Sequence, residues 1–226
     1  MQLILLFVGL VPSFIWLVFY LQEDARYPEP RRLIFTVFFV GALSTFAALY
    51  FQINFNNYLD QLGVYPYSFP SLFILASIEE VIKFIAVYLV VRKNADFDEP
   101  LDAMIYMIVA ALGFAAVENV GAISDQFSDS AIWGDALQIA IFRFVGATLL
   151  HAIASGFVGY YWALGIINGR AMQFILKGIG ISILLHAVFN YFILRVGPTI
   201  YPIAILVIAA FFLLHDFERI KKEEHI

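Results

Sequence analysis

Long apolar runs recur along the whole chain. About seven stretches of roughly 18 or more mostly apolar residues can each cross a hydrocarbon core about 30 Å thick, and they lie at 3–21, 33–52, 70–91, 101–123, 132–164, 174–194 and 199–215. Of all residues, 62% are hydrophobic and only 14% are charged, which is outside the usual range of a soluble domain. We therefore predict an all-α, polytopic membrane helical bundle of about seven transmembrane helices, and one integral-membrane domain over residues 1–226.

Prolines support this division of the chain. They are tolerated at helix ends, and those at or near predicted ends are Pro28, Pro30, Pro66, Pro70, Pro100, Pro198 and Pro202. The fifth predicted segment, 132–164, is longer than a bilayer requires. We expect it to be kinked, tilted or extended beyond the membrane.

The basic residues predict the orientation. Ten of the 13 basic residues follow the first, third, fifth and seventh segments, namely Arg26, Arg31, Arg32, Arg92, Lys93, Arg170, Lys177, Arg219, Lys221 and Lys222. The alternate connections hold only Arg195, and 52–69 and 124–131 contain no Lys or Arg. Basic residues gather on the cytoplasmic side of a membrane, so we expect the N-terminus outside and the C-terminus inside. The first segment lacks a basic leader and is expected to be a retained anchor in a multi-pass protein of the cell membrane.

Composition also narrows the possible chemistry. The chain has no Cys, which excludes disulfides, cysteine-based zinc sites and a thiol nucleophile. No basic patch indicates a nucleic-acid partner. Any reaction must therefore use carboxylates, His, Ser, Thr or a bound ion.

Polar residues occur inside four successive predicted segments. An ionisable side chain at the centre of a membrane helix costs about 2.5–3.5 kcal/mol on insertion scales, so such residues usually face a cavity or a partner. We expect these to gather in one pocket. They are Glu79, Glu80 and Lys83 in "SIEEVIKF", Glu118 and Asn119 in "GFAAVENV", Arg143 in "IFRFVG", His151 in "LLHAIASG", and His186 and Asn190 in "LLHAVFNY".

Helical spacing predicts how two of these groups are arranged. Glu79 and Lys83 are four residues apart in the favoured order for an ion pair, and Glu80 is turned about 100° away. One carboxylate can pair with Lys83, which leaves the other free to face the pocket. His186 and Asn190 are also four residues apart and share a helix face.

Each polar residue also has a purely structural interpretation. In that interpretation Glu79, Glu80 and Lys83 form an ion pair that joins helices, and a lone His in a membrane span serves as an interhelical hydrogen-bond donor. The structural interpretation leaves the second carboxylate of the pair unexplained. The combination of residues favours a functional site more than any one of them does.

Two kinds of chemistry fit these residues. A carboxylate held away from water is a stronger base, which makes it an effective general base near neutral pH without a Ser or Cys nucleophile. His and Asn side chains can donate to a developing oxyanion. Alternatively, two His and a Glu can bind zinc, although the zincin motif H-E-x-x-H is absent.

The sequence resembles the PrsW family in four motifs. "EEVIK" at 79–83, "FAAVEN" at 114–119, "HAIASG" at 151–156 and "HAVFN" at 186–190 follow the order of that family's motifs. The family is distantly similar to CAAX prenyl endopeptidases and bacteriocin-processing membrane proteases. The resemblance covers about 70–195, which we predict to be a catalytic four-helix core.

The resemblance implies an intramembrane endopeptidase that cleaves membrane-anchored proteins, such as anti-sigma factors, near the outer face of the bilayer. In the wider group the first Glu of the pair activates water, and an H-x-x-x-N pair binds the oxyanion. By motif, these roles fall on Glu79 and on His186 with Asn190. Glu80 then supports the site or pairs with Lys83.

Two departures from the wider group's pattern leave choices open. Its E-E-x-x-x-R is E-E-x-x-K here, and the His of its F-x-x-x-H is replaced by Glu118 after Phe114. Both Glu118 and His151 therefore remain candidates for the partner of Glu79. No cofactor is expected, but zinc is possible, since such proteins have been described both as metalloproteases and as glutamate-type enzymes.

The predicted site therefore comprises six residues, Glu79, Glu80, Glu118, His151, His186 and Asn190. The expected partners are a membrane-anchored protein substrate and the lipid bilayer, with no nucleic acid. The leading alternative is a proton- or ion-coupled transporter that uses the buried Glu and His residues as a relay. Transporters often show inverted repeats and broken helices, and no convincing repeat is found here.

Overall fold

The computed structural model describes residues 2–24, 28–126, 133–197 and 199–223, and no strand occurs among them. The helices are α1 (Gln2–Leu21), α2 (Arg31–Gln61), α3 (Phe69–Val91), α4 (Pro100–Gln126), α5 (Trp133–Arg143), α6 (Leu149–Ile167), α7 (Ala171–Tyr191) and α8 (Ile200–Glu223). One π-helical turn, Phe144–Thr148, joins α5 to α6, and another, Phe192–Val196, follows α7. Arg26, Pro198 and residues 127–132 of the acidic connection lie outside the described residues.

Each predicted apolar segment corresponds to helix in the structure, with two differences. Helix α2 continues to Gln61 instead of ending near residue 52, because "INFNNYLDQ" keeps a helical backbone although it is too polar to look like a membrane span. The fifth segment is interrupted by the π-helical turn at Phe144–Thr148, which agrees with the expected irregularity. Pro12 lies inside α1, so not every proline marks an end.

Several helices have the length and composition of membrane spans. Among the described residues, five helical stretches qualify, namely Arg31–Gln61, Pro100–Ser124, Gln138–Ile167, Ala171–Val196 and Ile200–Glu223, and Leu6–Leu21 is a shorter apolar helix. Helix α3 is 23 residues long but carries Glu79, Glu80 and Lys83. The all-α membrane bundle is thus confirmed, while the number of crossings and the orientation stay predictions.

Helix α4 lies at the centre of the bundle. Its residues from Leu101 to Ala116 are buried, and it packs against α1, α2 and α6. Helix α6 in turn packs against α7 and α8, and α3 lies between α2 and α7. The four helices that carry the predicted motifs, α3, α4, α6 and α7, therefore lie side by side.

Glycines allow α4 to approach its neighbours closely. A Cβ atom at Gly113 would overlap the carbonyl oxygen of Phe38 on α2, and one at Gly41 would overlap that of Ala110 on α4. Small residues of this kind are typical of interfaces between membrane helices, because lipid offers no hydrophobic force to bring them together. The α2–α4 contact therefore depends on the absence of side chains at these two positions.

Candidate active site

Four helices bring carboxylates and imidazoles together inside the bundle. Glu79 and Glu80 come from α3, Glu118 from α4, His151 from α6 and His186 from α7. Glu79, Glu80, His151 and His186 are buried, with 7%, 0%, 2% and 2% of their surface exposed. The structure thus joins five of the six residues predicted from the sequence in one cluster.

Glu80 forms the ion pair of the cluster. The Lys83 ammonium donates a 2.6 Å hydrogen bond to Glu80 Oε1, and both side chains are fully buried. Ser182 Oγ donates to Glu80 Oε2 at 2.8 Å, and His186 Nδ1 lies 2.7 Å from Oε1. Of the two carboxylates that could pair with Lys83, Glu80 is therefore the one that does so, because groups from α7 also bond to it and hold it in place.

His151 has a defined hydrogen-bonding state. Its Nε2 lies 2.8 Å from Glu118 Oε2, and its Nδ1 lies 3.1 Å from the Lys83 ammonium. A carboxylate accepts and an ammonium donates, so the proton of the neutral imidazole is on Nε2 and Nδ1 is the acceptor. Glu118 therefore sets the tautomer of His151.

His186 is held in a similar way by a different carboxylate. Its Nδ1–H donates to Glu80 Oε1, which leaves the lone pair on Nε2. That nitrogen lies 3.7 Å from Glu79 Oε2. The imidazole rings of His186 and His151 meet edge to face, with centroids 5.0 Å apart.

Glu79 presents one oxygen to this cluster without a hydrogen bond. Its Oε1 accepts a 2.7 Å bond from Gln52 Nε2, whereas its buried Oε2 has no hydrogen-bond partner among the residues that the structure describes. Oε2 lies 3.7 Å from His186 Nε2 and 4.0 Å from His151 Nδ1. Acceptors that face one another in this way are stabilised by a proton donor or a cation between them.

Gln52 is a site residue that the sequence analysis missed. It lies on α2, at the predicted end of the second apolar segment, where "QINFNN" has the composition of an interfacial turn. The available signal was its spacing, because Gln52 lies seven residues, about two helical turns, after Thr45 and shares a face with it if the helix continues. Its contact with Glu79 adds a fifth helix to the site.

A second polar group extends from the cluster toward α5. Arg143 donates to Asn119 Oδ1 through Nε, and its guanidinium lies 3.4 Å from Glu118 Oε2. Asn119 Nδ2 donates to Thr148 Oγ1 at 3.0 Å. Thr148 ends the π-helical turn, an irregularity that is frequent at functional sites.

Asn190 stands apart from the other predicted residues. It is partly buried, one turn after His186 on α7, and among the described residues it makes no hydrogen bond with the cluster. The expected oxyanion role of Asn190 thus depends on the motif and on its position after His186, since no hydrogen bond to the cluster supports it in the described part of the chain.

The donor atoms of the cluster fit a metal ion. One ligand atom each from Glu79, Glu80, His151 and His186 lies within 4.8 Å of the others. Imidazole and carboxylate are zinc ligands, and a carboxylate on the opposite nitrogen of each His is the usual supporting contact. The Oε2 atom of Glu79, which has no hydrogen bond among the described residues, is suited to bind a metal ion. At His151 Nδ1 a metal would have to replace the Lys83 ammonium, which lies 3.1 Å away.

The fold and the site together define an integral-membrane helical bundle with a buried carboxylate–imidazole centre able to activate water or hold a metal. Residues 29–215 match the family described as PrsW family intramembrane metalloprotease. The chain therefore belongs to the PrsW family and is an intramembrane protease. This membership does not favour the alternative that the protein is a transporter.

Curated relatives agree with this assignment. The chain is 28% identical over 201 residues to Protease PrsW of Clostridioides difficile (strain 630), which covers 86% of the chain and 81% of the relative. It is 24% identical over 197 residues to Protease PrsW of Bacillus subtilis (strain 168), with 85% and 84% covered. No solved structure gives a significant match to the chain.

Proposed function

We propose that the protein hydrolyses a peptide bond of a membrane-anchored substrate with a water activated by Glu79. The observation that carries this proposal is the buried, unpartnered Oε2 of Glu79, which faces the two imidazoles. A buried carboxylate oxygen that no Lys or Arg of the described chain neutralises is available to accept a proton from water. The neighbouring carboxylate, Glu80, is already neutralised by Lys83 and cannot do the same.

The imidazoles position the water and the scissile carbonyl. In the tautomer that Glu80 imposes, His186 Nε2 accepts a hydrogen bond from water on the side that faces Glu79. The proton that Glu79 takes from water passes to this nitrogen, which then donates a hydrogen bond to the oxyanion and finally gives the proton to the leaving amine. Glu118 and Glu80 hold the rings by their other nitrogens, and Asn190 supplies an amide donor from the same face as His186.

A metal-dependent form of this reaction uses the same residues. Glu79, His151 and His186 would hold zinc, which supplies Lewis-acid activation of water or of the scissile carbonyl. In this form Glu80 and Glu118 orient the ligands through the opposite imidazole nitrogens. Lys83 would give up its contact with His151 Nδ1 and keep the one with Glu80.

The proposed substrates are single-span proteins such as anti-sigma factors, cut near the outer face of the bilayer by the core at 70–195. Glu118 lies eight residues before the end of α4, which at about 1.5 Å per residue is roughly 12 Å. Under the predicted orientation this end of α4 is the outer one. The cluster would thus be reached from the outer half of the membrane.

The test is cleavage of a library of tagged single-span proteins by the purified protein in lipid vesicles, with products mapped by mass spectrometry. We expect wild type to cleave some members and His186→Ala to cleave none. His215→Ala, on the exposed side of α8, is the matched control and retains cleavage. Cleavage that survives His186→Ala contradicts the proposed site.

A chelator separates the two forms of the mechanism in the same assay. A glutamate-type reaction continues in the presence of a zinc chelator, whereas a metal-dependent one stops and recovers when zinc is returned. Zinc bound by wild type and lost from His186→Ala, measured by elemental analysis, assigns the ligand set independently of activity.

A further inference from the structure

A groove with a mainly apolar lining and a few polar side chains lies between α2 and α4. Its volume is about 460 Å³, within the roughly 300–1,000 Å³ typical of ligand sites. Phe46 and Leu49 of α2 contribute apolar surface, as do residues of α4, and Arg143 of α5 also lines the groove. Thr45 contributes a hydroxyl from α2, which donates to the Phe114 carbonyl oxygen of α4 at 3.2 Å.

Two residues belong both to the groove and to the catalytic cluster. Gln52 lines the groove and donates its amide hydrogen to Glu79 Oε1. Glu118 lines it from the other side and bonds His151 at 2.8 Å. The groove therefore borders the cluster, and Gln52 and Glu118 are the residues that the two share.

The polarity of the groove distinguishes it from cavities suited to lipid. A cavity of about 540 Å³ beside α1 is lined only by apolar residues, namely Phe7, Leu10, Val11, Phe14, Ile15 and Val18. A polypeptide leaving its helical form inside a membrane exposes N–H and C=O groups, each of which needs a partner. Gln52, Glu118 and Arg143 supply hydrogen-bond donors and acceptors for such groups. A lipid acyl chain has no group that could bond to them.

We propose that the α2–α4 groove receives the unwound polypeptide of the substrate and presents its scissile bond to Glu79 past Gln52. This inference deepens the proposed protease function and rests on it. It assigns substrate entry to the α2–α4 side of the bundle, with Phe46 and Leu49 contacting the side chains next to the cleaved bond.

The absence of Cys makes this entry route testable with single thiols. Leu49→Cys places a thiol in the groove, and Leu43→Cys places one on the same helix outside it. Both leucines are 50% exposed, so the two thiols react comparably with reagents from the lipid phase. Each is labelled with benzophenone maleimide, in the wild-type background and in the Glu79→Gln background.

The reporter is a single-span library member that wild type cleaves and Glu79→Gln does not. Labelling Leu49→Cys should slow its cleavage at least tenfold, whereas labelling Leu43→Cys should change it less than twofold. In the Glu79→Gln background, illumination should cross-link the benzophenone at position 49 to the reporter. The benzophenone at position 43 should cross-link only to phospholipid.

Three outcomes overturn the proposal in different ways. An unchanged rate after labelling Leu49→Cys moves the entry route elsewhere and leaves the protease function intact. A phospholipid adduct alone at position 49 makes the groove a lipid site. If wild type cleaves no library member, the proposed function fails and the groove proposal fails with it.

Discussion

His151 Nε2 lies 2.8 Å from Glu118 Oε2, while His151 Nδ1 lies 4.0 Å from Glu79 Oε2. The sequence left Glu118 and His151 as equal candidates for the partner of Glu79. This geometry separates them, because the imidazole faces Glu79 and the Glu118 carboxylate bonds to the far side of the ring. We therefore propose that His151 lies on the reacting side and that Glu118 has a positioning role.

Substitution of these two residues should have unequal effects. We expect His151→Ala to lower kcat by roughly 10²–10⁴-fold, as for loss of a proton-transfer group, and Glu118→Gln by roughly 10–100-fold, as for loss of an orienting partner. The measurement is kcat and KM for a cleaved reporter, with Glu218→Gln on the exposed face of α8 as the control. A larger loss for Glu118→Gln than for His151→Ala would reverse the assignment.

Much of the fold follows from residue patterns. The seven apolar segments predict the helices closely, because a membrane span requires about 20 apolar residues whatever its partners are. Two features escape such reasoning. The extension of α2 to Gln61 has a polar composition, and the π-helical turn at Phe144–Thr148 has no local sequence signature.

The site is predictable in composition and less so in detail. Glu79, Glu80, Glu118, His151 and His186 are recognisable because charged and imidazole side chains are expensive in a membrane. Which acid pairs with Lys83 is not recognisable, since i,i+3 and i,i+4 are both within reach. That choice is made by Ser182 and His186 on another helix, which the spacing within α3 cannot reveal.

The buried ion pair predicts a large effect on stability. Glu80→Gln leaves the Lys83 ammonium buried without its counter-charge, which should cost about 3–5 kcal/mol of unfolding free energy. Glu80→Gln with Lys83→Met removes both charges and should recover most of that loss. Thermal unfolding in lipid or detergent measures both, and equal destabilisation by the single and double variants would mean that the ion pair is not the cause.

The glycine contact between α2 and α4 predicts a difference between two similar substitutions. Gly113→Ala places a methyl group against the Phe38 carbonyl and should destabilise the protein by about 1–3 kcal/mol. Gly121→Ala on the same helix meets nothing within 4 Å and should stabilise it by about 0.5–1 kcal/mol through helix propensity. Thermal unfolding of both variants checks this, and equal effects would place the close packing elsewhere.

Glu29, in the connection between α1 and α2, predicts a pH dependence of stability. Burial and the nearby Asp102 raise the pKa of Glu29 from 4.5 to about 9, and Tyr106 donates its hydroxyl hydrogen to the carboxyl group. At a pH between these two pKa values, the Glu29 carboxyl group is deprotonated in the unfolded chain and protonated in the folded chain. The Glu29 contribution to the free energy of unfolding must therefore fall as pH rises through that window.

Glu29→Gln removes this titration because an amide stays uncharged. The unfolding temperature of wild type relative to Glu29→Gln should fall between pH 5 and pH 8.5. Glu218→Gln, at an exposed position, is the control and should show no such trend. A difference between wild type and Glu29→Gln that does not change with pH would contradict the raised pKa.

In the proposed mechanism, Glu79 activates the water that cleaves the substrate. The most direct measurement is the cleavage rate of a reporter by Glu79→Gln and by wild type in lipid vesicles, at equal amounts of protein with equal unfolding temperatures. Because the amide cannot accept the proton but can still bond Gln52, we predict a folded protein whose rate is lower by at least about 10²-fold. Cleavage at the wild-type rate by a folded Glu79→Gln protein would contradict the account.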